Sequence, residues 1–204
     1  RKKFEEYRDV LPELKQKHAE LRAEIESTKA AMEGGEVKLS DVTIKDCAKS
    51  AIHANKDTSI VTGRNVVIQD AAYGITGSTG EIIVDTLVTS NVIYQNVDSY
   101  GVDVTLSNAT IGKTTSDSAD NITGHSIRTT AGTVTLTNVD ILGTTEVAHA
   151  ILAEGGNVVL TDVNITDAGN TGIRINRDSS SVTGENISIQ NAVEGISASN
   201  GSVK

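Results

Sequence analysis

Aromatic residues, proline and cysteine are all scarce in this chain, whose 204 residues include one Phe, four Tyr, no Trp, one Pro and one Cys. With so few rings, any core it builds must be aliphatic and thin. The lone thiol, Cys47, excludes an internal disulfide and gives no reading of the redox compartment; a small residue in a turn is its plain reading. No run of about 18 apolar residues is present to span a bilayer, and no signal-peptide pattern opens the sequence. Nor is there an excess of cations. The net charge is −9, and because residues 1–33 hold eight basic and eight acidic side chains, the remainder carries ten basic against nineteen acidic. An acidic body of this kind repels phosphate backbones and anionic lipid, so nucleic acid is excluded as a partner. Nucleotide-binding loops, HExxH helices, GxSxG elbows and GGxGxD calcium repeats are likewise missing, and no cofactor is implied.

What the chain does have is a repeat. The run VKLSDVTIKD recurs as VTLTNVDILG and VVLTDVNITD. Taking the last isoleucine of each copy as an anchor gives Ile44, Ile68, Thr89 as a substitute, Ile111, Ile141, Ile165 and Ile189, at spacings of 24, 21, 22, 30, 24 and 24 residues. A period of this size marks a solenoid. Seven positions before each anchor stands Val37, Val61, Ile82, Val104, Val134, Val158 or Val182. Five before it comes Leu39, Gly63, Val84, Leu106, Leu136, Leu160 or Gly184, and two before it Val42, Val66, Leu87, Ala109, Val139, Val163 or Ile187. Such alternation is the signature of strands with one buried face. A third short run follows, centred on Ile52, Ile75, Ile151, Ile173 and Ile196, which makes each copy a three-sided coil. Eighteen Gly, with Thr, Ser, Asn and Asp throughout, supply the turns.

Three positions before the anchor sits Asp41, Asn65, Thr86, Asn108, Asn138, Asp162 or Asn186. A short amide or carboxyl there can bond the turn backbone and accept a left-handed conformation. We expect these residues to face inward and hold backbone donors that water cannot reach, and stacked amides to bond one another along the axis. The columns resemble the asparagine ladders of right-handed parallel β-helices, the architecture of pectate lyases, tailspikes and autotransporter passengers. The predicted fold is therefore all-β: a right-handed parallel β-helix with three strands per coil and about seven coils over residues 36–204. An antiparallel sandwich would need a regular series of two-residue hairpins, which is not found.

Residues 1–33 follow a different rule. Phe4, Tyr7, Leu11, Leu14, His18, Leu21, Ile25, Thr28 and Met32 are spaced three and four apart, which predicts an amphipathic helix ending near Gly34-Gly35 and kinked near Pro12. It can be a cap over the first coil, a coiled coil that oligomerises through residues 4–32, or an appended expression segment. The start at Arg1 without a methionine, and Val203 opening what reads as an eighth coil, are expectations of a fragment of a longer protein.

Candidate chemistry is sparse. Pectate lyases act through acidic calcium ligands and an arginine, yet the outward column after the third-run isoleucines reads His53, Thr76, Asp98, Arg128, Leu152, Arg174 and Ser197, with one acid. Two after the anchor, Asp46 and Asp70 are neighbours, for which turn chemistry is a plainer account than calcium. GHSIRT and GIRINR resemble elements of polygalacturonases, but the paired aspartates that should precede them are missing. For the Arg174 and Arg177 pair a surface salt bridge is the plain reading and anionic-ligand binding the bold one. The long step from Ile111 to Ile141 predicts an extended loop, and its residues Lys113, Thr114, Asp117, Asp120, Asn121 and His125 are the candidate binding loop.

A coil composition rich in Thr, Asn, Val and Asp is similar to that of autotransporter adhesin passengers. The resemblance implies a non-enzymatic rod, secreted to the bacterial cell surface or outer membrane. It would meet a host-cell or bacterial surface protein, a glycan or a matrix component, and would touch membrane only through a barrel outside this segment. The rivals are a pectin-lyase-type polysaccharide lyase or hydrolase and a purely structural spacer.

Overall fold

A computed structural model describes residues 35–115 and 124–204. The helix expected over residues 1–33, and every reading of it, lies outside the described residues, as do Asp117, Asp120 and Asn121. The described residues form a parallel β-solenoid of about seven turns. Its strands are β1 (Glu36–Ala54), β2 (Ile60–Gly77), β3 (Glu81–Ser90), β4 (Val97–Tyr100), β5 (Asp103–Ile111), β6 (Ile127–Ala131), β7 (Thr133–Ile141), β8 (His149–Ala153), β9 (Asn157–Thr166), β10 (Thr171–Ile175), β11 (Ser181–Gln190), β12 (Glu194–Ala198) and β13 (Ser202–Val203). In the first two coils β1 and β2 run through all three sides, and from β3 on each coil has a long strand bent at a corner and a short one that closes the turn. The long strands β1, β2, β3, β5, β7, β9, β11 and β13 pair in succession, and the short strands stack from the end of β2 through β4, β6, β8, β10 and β12. Every strand pairing is parallel.

The predicted columns are the observed register. Val37 pairs with Val61, Val61 with Ile82, and so on through Val104, Val134, Val158 and Val182 to Val203. Along the anchor column, Ile68 through Ile165 are fully or almost fully buried. Thr89, the substitute, is also buried, and its hydroxyl accepts the Gly112 amide at 2.9 Å. A single coil cannot cover its apolar inner face, whereas a neighbour about 4.8 Å away can. That logic fails at the two ends, where Val42, Ile44, Ile187 and Ile189 are only partly buried.

The corner between the first two runs of each copy is made by one left-handed residue, with φ of 56° at Asp41, 53° at Asn65, 59° at Thr86, 52° at Asn108, 55° at Asn138, 55° at Asp162 and 56° at Asn186. A strand can therefore turn without breaking its ladder, which is why the two runs form one long strand. A second left-handed corner follows the anchor at Asp46, Asp70, Asn91, Asp167 and Asn191. Turn geometry thus accounts for Asp46 and Asp70.

The expected inward orientation of the ladder is corrected. Asp41, Asn65, Asn108, Asn138, Asp162 and Asn186 are exposed, because the left-handed corner turns its side chain away from the core. Their amides do bond across coils: Asn65 Nδ2 donates to Asp41 at 2.7 Å, Asn138 to Asn108 at 2.7 Å and Asn186 to Asp162 at 2.9 Å. Asn108 itself donates to Asp85 rather than to Thr86. Backbone conformation, not a buried donor, is what these side chains secure. Asn138→Ala is therefore expected to cost about 1 kcal/mol, and Asn138→Gly less, as read from urea midpoints. Equal losses for both variants would mean that the amide bond, not φ, dominates.

Candidate functional site

Among the described residues the inner columns are almost wholly aliphatic. The short-strand face is unlike the others. Pairing places Asp98 of β4 beside Arg128 of β6, and Arg128 beside Leu152 of β8, the column foreseen from sequence. The side chains then gather in a way that no single column reveals. Arg128 Nε donates to Glu154 Oε2 at 3.0 Å, while its Nη1 stands 3.9 Å from Asp98 Oδ1, too long for a hydrogen bond. The guanidinium also lies 5.9 Å from the centroid of the Tyr100 ring, within cation–π range.

Asp98 is 1% exposed, and neither of its carboxylate oxygens has a well-formed hydrogen bond. Burial pushes its carboxyl above the usual range, although the nearby Tyr100 hydroxyl and the Arg128 charge favour the anion. Tyr100 is pushed up to about 12 by its own burial and by the adjoining Asp98 carboxylate. Tyr73 and Tyr94 stand with ring centroids 5.0 Å apart, and Tyr73 feels the charges of both Asp98 and Arg128. Three of the chain's five aromatic residues thus border one acidic and basic cluster. A buried carboxyl with a shifted pKa beside a fixed cation is the kind of group that concentrates at functional sites.

Next to this cluster, His125 and His149 stack with centroids 5.1 Å apart and planes 3° apart. The His149 backbone N–H donates to His125 Nδ1 at 3.0 Å. Burial, the neighbouring His149 and the Arg128 charge hold His125 down to about 3, and burial lowers His149 as well.

The loop residues chosen from sequence fare differently. Lys113 is exposed, but Thr114 is fully buried, with its hydroxyl donating to the Gly124 carbonyl, and His125 is buried in the stack. Thr114 and His125 are thus turned into the solenoid rather than presented for contact. A groove of about 680 Å3 lies beside them, lined by Val88, Asn91, Lys113, Thr114, Leu142 and others, and it is separate from the Asp98 cluster. Among the described residues Arg174 makes no salt bridge; it donates to Asn176 at 2.7 Å and to Ser197 and Ser199 at 2.6 Å each, which ties its guanidinium to neutral groups of its own and the next coil.

Sequence reading missed Glu154, Tyr100 and the tyrosine pair. Glu154 lies two positions beyond the column examined, and Arg128 reaches it across a coil. Reading the third-run columns together with their flanking positions would have exposed the grouping. No family, no curated protein and no solved structure matches this chain.

Proposed function

We propose that the chain is a length of right-handed β-helical rod from a secreted bacterial surface protein of the autotransporter-passenger kind, and that its lateral faces make adhesive contact with cells, glycans or matrix. The observation that carries this reading is the distribution of chemistry. Between Val61 and Val182 the inner columns are closed and almost wholly aliphatic, while Asp98, Tyr100, Arg128 and Glu154 gather at the short-strand face. A solenoid filled in this way offers surface rather than a cleft. The unbalanced acidic charge suits a body that stays soluble at a cell surface.

One observation favours a second reading, a polysaccharide hydrolase. Two carboxyl groups, Asp98 and Glu154, converge on Arg128, and burial raises the Asp98 carboxyl above its usual range. Glycoside hydrolysis is carried out by two carboxyl groups flanking the bond.

One set of proteins tests both. The intact chain, the paired substitutions Tyr100→Ala and Arg128→Ala, and a version shortened between Thr115 and Gly124 are compared for binding to host cells and immobilised matrix. Binding is expected to fall in the substituted protein while the β-rich circular dichroism persists. Binding that falls only in the shortened protein would return the contact to the loop, and no binding by any of them would leave a spacer. Reducing ends released from polysaccharide by the intact chain, and not by Asp98→Asn, would make it an enzyme.

A further inference from the structure

The rod reading leaves open what the short-strand face would hold. Arg128 is fixed on three sides, by Glu154, Asp98 and the Tyr100 ring, so its guanidinium is pre-organised rather than free to search. Its charge is already matched by Glu154, which leaves no free cation in the patch to draw an anionic ligand. Asp98, whose oxygens are sealed from solvent, faces Arg128 and the Tyr100 hydroxyl and helps to hold them in place rather than meeting a ligand itself. Tyr100, 49% exposed, and the Tyr73–Tyr94 pair add flat apolar surface with hydroxyls at its rim. Acceptors, a fixed donor fork and an aromatic face within a few strand spacings suit a molecule that has hydroxyls around its edge and C–H groups on its faces.

We propose that this patch is a binding site for a neutral glycan: a sugar ring lies on Tyr100, and adjacent hydroxyls bridge Glu154 and Arg128. The proposal rests on the reading of the chain as a contact-making rod, and it narrows the contact to one chemistry and one face. Tyr100, Arg128 and Glu154 are the contact residues. Asp98 acts through Arg128, as a positioning residue.

The test is a titration of the whole chain with neutral hexaoses of glucose, mannose and galactose, and with a uronic-acid oligomer of equal length, followed by tyrosine fluorescence. At least one neutral hexaose is expected to bind, and more tightly than the uronate. Tyr100→Ala and Glu154→Gln should each weaken that binding by about tenfold or more, whereas Thr135→Ala, on the long-strand face, should leave it unchanged. Tyr100 is exposed, so its truncation should not unfold the rod, and circular dichroism checks that. Binding of no neutral hexaose, tighter binding of the uronate, or binding indifferent to both substitutions would each overturn the proposal. The cell-binding comparison is independent. A chain that binds a hexaose but no cell or matrix keeps the site and loses the adhesive reading, and one that adheres yet ignores every sugar does the reverse.

Discussion

Leu136→Ala is expected to destabilise the solenoid by about 3 kcal/mol, against less than about 0.5 kcal/mol for Thr135→Ala beside it. Leu136 is fully buried and stacks between Leu106 and Leu160 in the same column. Truncation removes its transfer energy and leaves a void. Parallel ladders on both sides fix the coil spacing, so the neighbours cannot close it. Urea unfolding measures the loss. Hydrogen exchange at Val104 to Leu106 and Val158 to Leu160 should show its reach, because each coil is supported by its neighbours alone. A midpoint equal to that of Thr135→Ala would mean that the aliphatic columns do not carry the stability.

Acidification provides the second large effect. His125 is 4% exposed and held down to about 3, so it stays neutral in the folded chain. Once unfolded it titrates near 6.5. Its contribution to stability is fully present above about pH 6.5 and is lost as the pH falls toward its folded value, because only the unfolded chain takes up the proton in that interval. The slope is about 1.4 kcal/mol per pH unit, so a change from pH 7 to pH 5 should remove about 2 kcal/mol. His149, also lowered, adds in the same direction. Asp98 acts oppositely, since its raised carboxyl is protonated earlier in the folded chain and favours folding as the pH falls through its folded value. The test is the melting temperature of the intact chain and of His125→Gln across this range. The substituted protein should lose clearly less on acidification, and equal losses would remove the buried imidazole from the account.

The two effects were unequally legible beforehand. The Leu136 column could be read directly, because the same demand recurs in every coil and selection of apolar residues repeats with the period. The register from Val37 to Val203 was visible for that reason. The left-handed corners were visible too, since Asn and Asp are the side chains that tolerate them, although their outward direction was not. The burial of His125 was hidden. It lies after the longest step in the repeat, where spacing no longer says which face a residue joins.

By itself the sequence determined the period, the inner columns, the corners and the acidic surface, because each is a local requirement repeated down the chain. Only the tertiary structure decided that Asp98, Tyr100, Arg128 and Glu154 share one patch, and that Thr114 and His125 are buried rather than presented. The physical reason is the stacking itself. Coils about 4.8 Å apart bring together side chains that lie a coil or more apart in sequence, and a cluster that occurs once leaves no periodic trace.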